Sequence, residues 1–99
     1  MSAPIHVRPV QFTAKCFGAN LGLTRSSDSS WSMSLYTFVG KNKTHRTIAF
    51  ACANPGQVPR VDTDTPAALW LGSACIDLPA HLVPKIQVFL AEHSNGGAA

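Results

Sequence analysis

Trp31-Ser32-Met33-Ser34-Leu35-Tyr36-Thr37-Phe38-Val39 decides the fold, because it alternates between two faces without a break. Trp31, Met33, Leu35, Thr37 and Val39 fall on one side, and Ser32, Ser34, Tyr36 and Phe38 on the other. That period of two belongs to a β-strand with one face against a core. Gly40-Lys41-Asn42-Lys43 follows as a basic turn. Beyond it, Arg46, Ile48, Phe50 and Cys52 alternate with Thr47, Ala49, Ala51 and Ala53. The two stretches therefore read as one hairpin with positive charge at its tip.

On the amino-terminal side, Val10, Phe12, Ala14 and Cys16 alternate with Gln11, Thr13, Lys15 and Phe17, which predicts a strand from Val7 to Phe17. Pro9 has no amide to donate to a ladder, so that end belongs at an edge or bulge. Residues 18 to 30 hold two Gly, five Ser or Thr, Arg25 and Asp28, and read as a mobile loop.

On the carboxy-terminal side, Asn54-Pro55-Gly56 is a turn signal, and the aperiodic segment up to Pro66 reads as a second long loop. Ala67 to Leu71 is a short apolar run that favours strand, with Ala74 and Ile76 continuing it beyond a kink at Gly72. Asp77-Leu78-Pro79 then opens a helix, since proline fits a first helical turn and an acid suits the positive end of the dipole. Leu78, Leu82, Ile86, Phe89 and His93 share one face, flanked by Val83 and Leu90. Pro84 would clash with the carbonyl of Ala80, so regular helix is expected only from Val83, after a single turn. Asn95-Gly96-Gly97 predicts the helix end, and residues 95–99 a disordered tail.

A chain of 99 residues supports one domain, taken as 1–94. Charged residues make up only 13%, about half the usual share, which favours association. The net charge of +3 is a weak pull toward nucleic acid or acidic partners, but six of the eight Lys and Arg precede residue 60 and four of the five acids follow it. Cys16, Cys52 and Cys75 are widely spaced among apolar neighbours, as buried thiols are in a reducing compartment. Met1 to His6 lacks the apolar run of a secretory signal, and no stretch of about 18 apolar residues exists to span a bilayer. A cytoplasmic protein with no membrane partner is the expectation.

No catalytic signature appears. The four His and three Cys show no metal-type spacing, Gly18-Ala-Asn-Leu-Gly22 lacks the third Gly of a phosphate loop, and no motif positions a base beside Cys16 or Cys75. The expectation is no enzyme, no metal and no cofactor. What stands out is a basic and aromatic set at the hairpin, with Lys41, Lys43, His45 and Arg46 at its tip and Tyr36 and Phe38 opposite Trp31 and Met33. Single strands of nucleic acid are held by such sets, cations neutralising phosphates while rings stack on bases. Trp70, with Leu71 and Gly72 behind it, is a second candidate, as an interface anchor.

Gly72-Ser-Ala-Cys-Ile76-Asp-Leu78-Pro79, with Leu82, Ile86 and Phe89, resembles the single-strand-binding domain of the positive cofactor four family of transcriptional coactivators, in which a Gly, an apolar residue and a Leu lead into a helix with a similar apolar face. The order of strands, basic turn, strands and terminal helix is also similar. The resemblance implies a dimer packed through helices, with curved sheets gripping melted strands.

The fold expected is α+β, an antiparallel meander of four or five strands with the carboxy-terminal helix packed on it. The leading functional expectation is a non-enzymatic, dimeric module that binds single-stranded DNA or RNA without strong sequence preference through Lys15, Arg25, Tyr36, Phe38, Lys41, Lys43 and Arg46. Trp70, Leu82, Ile86 and Phe89 form its expected interface. The alternative is a protein-interaction or assembly protein, a phage-type inhibitor or structural subunit, using its sheet edge and apolar helix face.

Overall fold

The computed structural model describes residues 8–54 and 56–93. Strands β1 (Val10–Cys16), β2 (Ala19–Arg25), β3 (Trp31–Val39) and β4 (Thr44–Cys52) form an antiparallel sheet in that order. β5 (Arg60–Asp62), β6 (Ala68–Leu71) and β7 (Ala74–Asp77) form a second, smaller antiparallel sheet. A 3-10 turn at Ala80–Leu82 leads into the helix α1 (Val83–His93). The class is α+β, a four-stranded meander with a carboxy-terminal helix packed on it.

One face of the meander supplies half of the core. Leu21, Leu23 and Met33 are fully buried, with Cys16 and Trp31 almost so, and they meet Leu69, Leu71 and Ile76 of the small sheet and Leu78, Leu82, Ile86 and Leu90 of the helical end. At about 25 cal/mol per Å² of apolar area removed from water, this shared cluster is the main force holding the two layers together. Phe89 locks the helix to the meander, its ring 5.7 Å from Phe12 and edge-on to Trp31 at 6.1 Å.

The helix begins where proline chemistry allows. Leu82 donates its amide to the Pro79 carbonyl in the 3-10 turn, and Pro84 falls second in α1, inside the first turn, where its missing amide proton has no helical partner to lose. The predicted helix end at Asn95-Gly96-Gly97 and the tail 95–99 lie outside the described residues, as does the start of the first strand at Val7.

The loop expected at 18–30 is strand over its first half. Phe17 and Gly18 form a tight turn with φ of 50° and 85°, which pairs Cys16 with Ala19 and sends Leu21 and Leu23 into the core. Polar residues and Gly22 hid an alternation only two leucines long. In the second expected loop, Arg60–Asp62 pairs with β6, and the Arg60 guanidinium lies 5.1 Å from the centre of the Trp70 ring. At Gly72, with φ of 62°, the chain reverses instead of kinking, so residues 74–77 pair back on β6.

A register shift between Leu35 and Tyr36 breaks the alternation of the second hairpin arm. Before it, Ala51 opposes Met33 and Ala49 opposes Leu35, so alanines face the core; beyond it, Tyr36 opposes Thr47 and Phe38 opposes His45. Ile48 is the extra residue, a bulge that changes which side each half of β4 presents. Ile48 and Phe50 thus end on different faces, although a strict period of two would unite them.

Candidate nucleic-acid interface

The outer face of the meander is its side away from the core. The pairing places Lys15, Asn20, Tyr36 and Thr47 in one row across the four strands, and Thr13, Gly22, Ser34 and Phe50 in the next. Phe38 and His45 form a further pair nearer the hairpin tip. None of the described elements lies over these rows, and Lys15, Phe38, His45, Thr47 and Phe50 are exposed.

Three rings form one cluster. Tyr36 and His45 stack with centroids 4.9 Å apart and planes 25° from parallel, and Phe38 stands edge-on to both, 5.8 Å from Tyr36 and 5.7 Å from His45. Gly22 makes room for this. A Cβ there would lie 3.4 Å from Cε1 of Tyr36 and 3.2 Å from Oγ of Ser34, so the tyrosine ring lies over a spot of bare backbone. Phe50, 64% exposed, is the diagonal neighbour of Tyr36 on the same face, about 7–8 Å away in backbone terms. Sequence reading missed Phe50, and only the bulge brings it here. Gly22 and the pairing of His45 with Phe38 were missed as well, although counting back from the turn gives the latter.

Charge on this sheet has one sign. Strands β1 to β4 contain no Asp or Glu, while Lys15, Arg25 and Arg46 lie in them and Lys41 and Lys43 in the turn. Lys43 adopts φ of 51° and donates its amide to the Gly40 carbonyl at 3.2 Å, which fixes the tip and holds both lysines in solvent. Lys15 sits two strands from Tyr36, roughly 10 Å away at strand spacing.

The remaining expected residues are placed elsewhere. Arg46 pairs with Thr37 and therefore points from the tip to the opposite side of the sheet. Arg25 is 8% exposed on the core side, where Nη1 donates to the His93 carbonyl at 2.6 Å and Nη2 to the Arg8 carbonyl at 3.0 Å. Its guanidinium ties the helix end to the chain ahead of β1, and it is not on the ring-bearing face. Leu82 and Ile86 are buried and Phe89, half-buried, is packed on Phe12 and Trp31, so these side chains of the helix are spent mainly inside the chain. Trp70 is half-buried beneath Arg60.

The thiols divide in the same way. Cys16 is buried and donates to the Asp77 carbonyl at 3.2 Å; burial above all, with the Asp77 charge beside it, pushes its pKa up from the ordinary 9.0. Cys52 and Cys75 are exposed. Among the described residues no three His, Cys, Asp or Glu side chains gather in a way that could hold a metal ion, and no helix is long and apolar enough to cross a membrane. No protein-family model matches the chain, and no curated protein or solved structure does.

Proposed function

We propose that the outer face of the four-stranded sheet binds single-stranded DNA or RNA with little sequence preference, without catalysis. The observation that carries this reading is the open, acid-free sheet face bearing Tyr36, His45, Phe38 and Phe50 between Lys15 and the Lys41–Lys43 tip. Bases of any sequence stack on exposed rings, at about 1–3 kcal/mol per base, while cations neutralise the backbone beside them. A flat face of this kind suits a melted strand, whose bases are splayed, better than a duplex, whose bases are hidden. The likeness of residues 72–89 to the positive cofactor four family agrees in ligand class, and it implies a dimer packed through helices.

The test is fluorescence anisotropy of a labelled oligothymidine titrated with the protein. Binding is expected to weaken with salt at about 0.7 in log–log slope per phosphate neutralised. Replacing Lys41 and Lys43 with Ala should lower both affinity and slope. No salt-sensitive anisotropy change at micromolar protein sinks the reading.

A further inference from the structure

We propose that β4 is the pairing edge of a homodimer, in which a second copy of this chain adds its own β4 antiparallel to the first. Among the described residues, β4 closes one side of the large sheet and pairs only with β3. All of its first seven residues, Thr44 to Phe50, are exposed. Within it, Thr47-Ile-Ala-Phe-Ala-Cys52 has no charge, no proline and no glycine. Such a segment on an open edge is what monomeric sheet proteins avoid, because its unused N–H and C=O groups template another strand. The other edges are shorter or more heavily guarded. β5 has three residues and β7 four, and β1 carries Lys15, follows Pro9 and lies beside α1, whereas the uncharged part of β4 has one bulge, at Ile48.

Apolar surface collects around this edge. Phe17 is 71% exposed, Val39 40% and Ile48 59%. At roughly 200 Å² per large side chain they present on the order of 300 Å², more than a third of the ~800 Å² per partner of a standard interface, before the strand backbone is counted. On the core side, an open groove of about 570 Å³ runs from Phe17 past Leu35 and Ile76 to Ile48 and Ala49, where the small sheet stops short of β4. Phe17 holds a left-handed conformation, φ 50°, which is costly for a bulky side chain and keeps its ring at the groove mouth.

Charge selects a second copy in antiparallel orientation. The cations of the hairpin, Lys41, Lys43 and Arg46, all precede Thr47, so antiparallel pairing about the middle of the strand sends the two basic tips to opposite ends. Parallel pairing would stack them. A two-fold axis through the pair also closes the assembly, as isologous contacts do. The inner-face residue Ile48 then meets the partner strand directly, while the rings of Tyr36, Phe38 and His45 project from the outer face of the sheet, perpendicular to the backbone pairing. The dimer does not depend on nucleic acid.

Sedimentation equilibrium of the whole chain is expected to show a monomer–dimer equilibrium. Ile48→Lys and, separately, Ala49→Pro should each weaken the dimer at least about tenfold while circular dichroism remains that of the parent. Hydrogen exchange of the unaltered protein provides a test without substitutions, since amides of residues 44–52 should become more protected as concentration rises through the dimerisation range. A strict monomer at 100 μM, a dimer that survives both substitutions, or β4 amides whose protection ignores concentration would each overturn the proposal.

Discussion

The two halves of the β3–β4 ribbon have the same strand geometry and opposite fates. From Trp31 to Met33, and across to Ala51 and Ala53, one face is sealed by the small sheet and the helix. From Tyr36 to Val39, and across to Thr44, neither face is covered by a described element, and Phe38 and Val39 remain exposed. Alternation tells which residues share a side, but what lies over that side decides whether they fold the protein or face a partner. The tip half carries rings and cations that the core does not need, and such residues are where function concentrates.

The sharpest way to break this comparison is to truncate one residue from each half. Met33→Ala should cost about 2–5 kcal/mol in urea unfolding, because a fully buried side chain leaves a cavity. Phe38→Ala should cost less than about 1 kcal/mol, since it loses only an exposed edge-on ring contact. Equal losses would mean that the tip is structural. Arg25→Met is the next largest effect. It removes the two hydrogen bonds that the buried guanidinium donates to the carbonyls of His93 and Arg8, at about 1.5–3 kcal/mol for a bond from a charged group, and a total of about 2–4 kcal/mol is expected from the same unfolding curve.

On the ring face the expected change is in binding. Tyr36→Ala and Phe50→Ala should each weaken oligothymidine binding by about 1–3 kcal/mol with the urea midpoint nearly unmoved, as read by anisotropy and unfolding together. The smallest effect concerns Cys16. Folding holds its proton more tightly than the unfolded chain does, so the stability it contributes is complete below pH 9.0 and is lost as pH rises through the higher folded value. As pH rises through 9.0 and above, Cys16→Ala should therefore lose less stability than the parent. Iodoacetamide should modify Cys52 and Cys75 at once and Cys16 only on unfolding.

The long regular elements were legible in the sequence. The hairpin rests on the uninterrupted alternation of residues 31–39, and the delayed helix on the rule that forbids Pro84 deeper than a first turn. Tertiary pairing hid the rest. Ala19–Arg25 is polar enough to look like loop until β1 and β3 flank it, and Arg60–Asp62 is a strand only because β6 lies beside it. Arg25 looked like a surface cation because nothing in its neighbourhood announces two backbone carbonyls from distant parts of the chain. The ring face was half legible. Tyr36 and Phe38 follow from periodicity, whereas Phe50 joins them only through a one-residue bulge that composition cannot mark.

Arg25 has one more consequence. A single guanidinium reaches both Arg8 and His93, so the first and last parts of the described chain leave the domain from one place. The Gly40–Lys43 turn lies at the other end of β3, roughly 25 Å away along a nine-residue strand. A short linker joining His93 to Arg8, with new termini opened at that turn, should give a circularly permuted chain that folds to the same core. Labels attached at Arg8 and at His93 would sit together, at the end of β3 away from the hairpin tip.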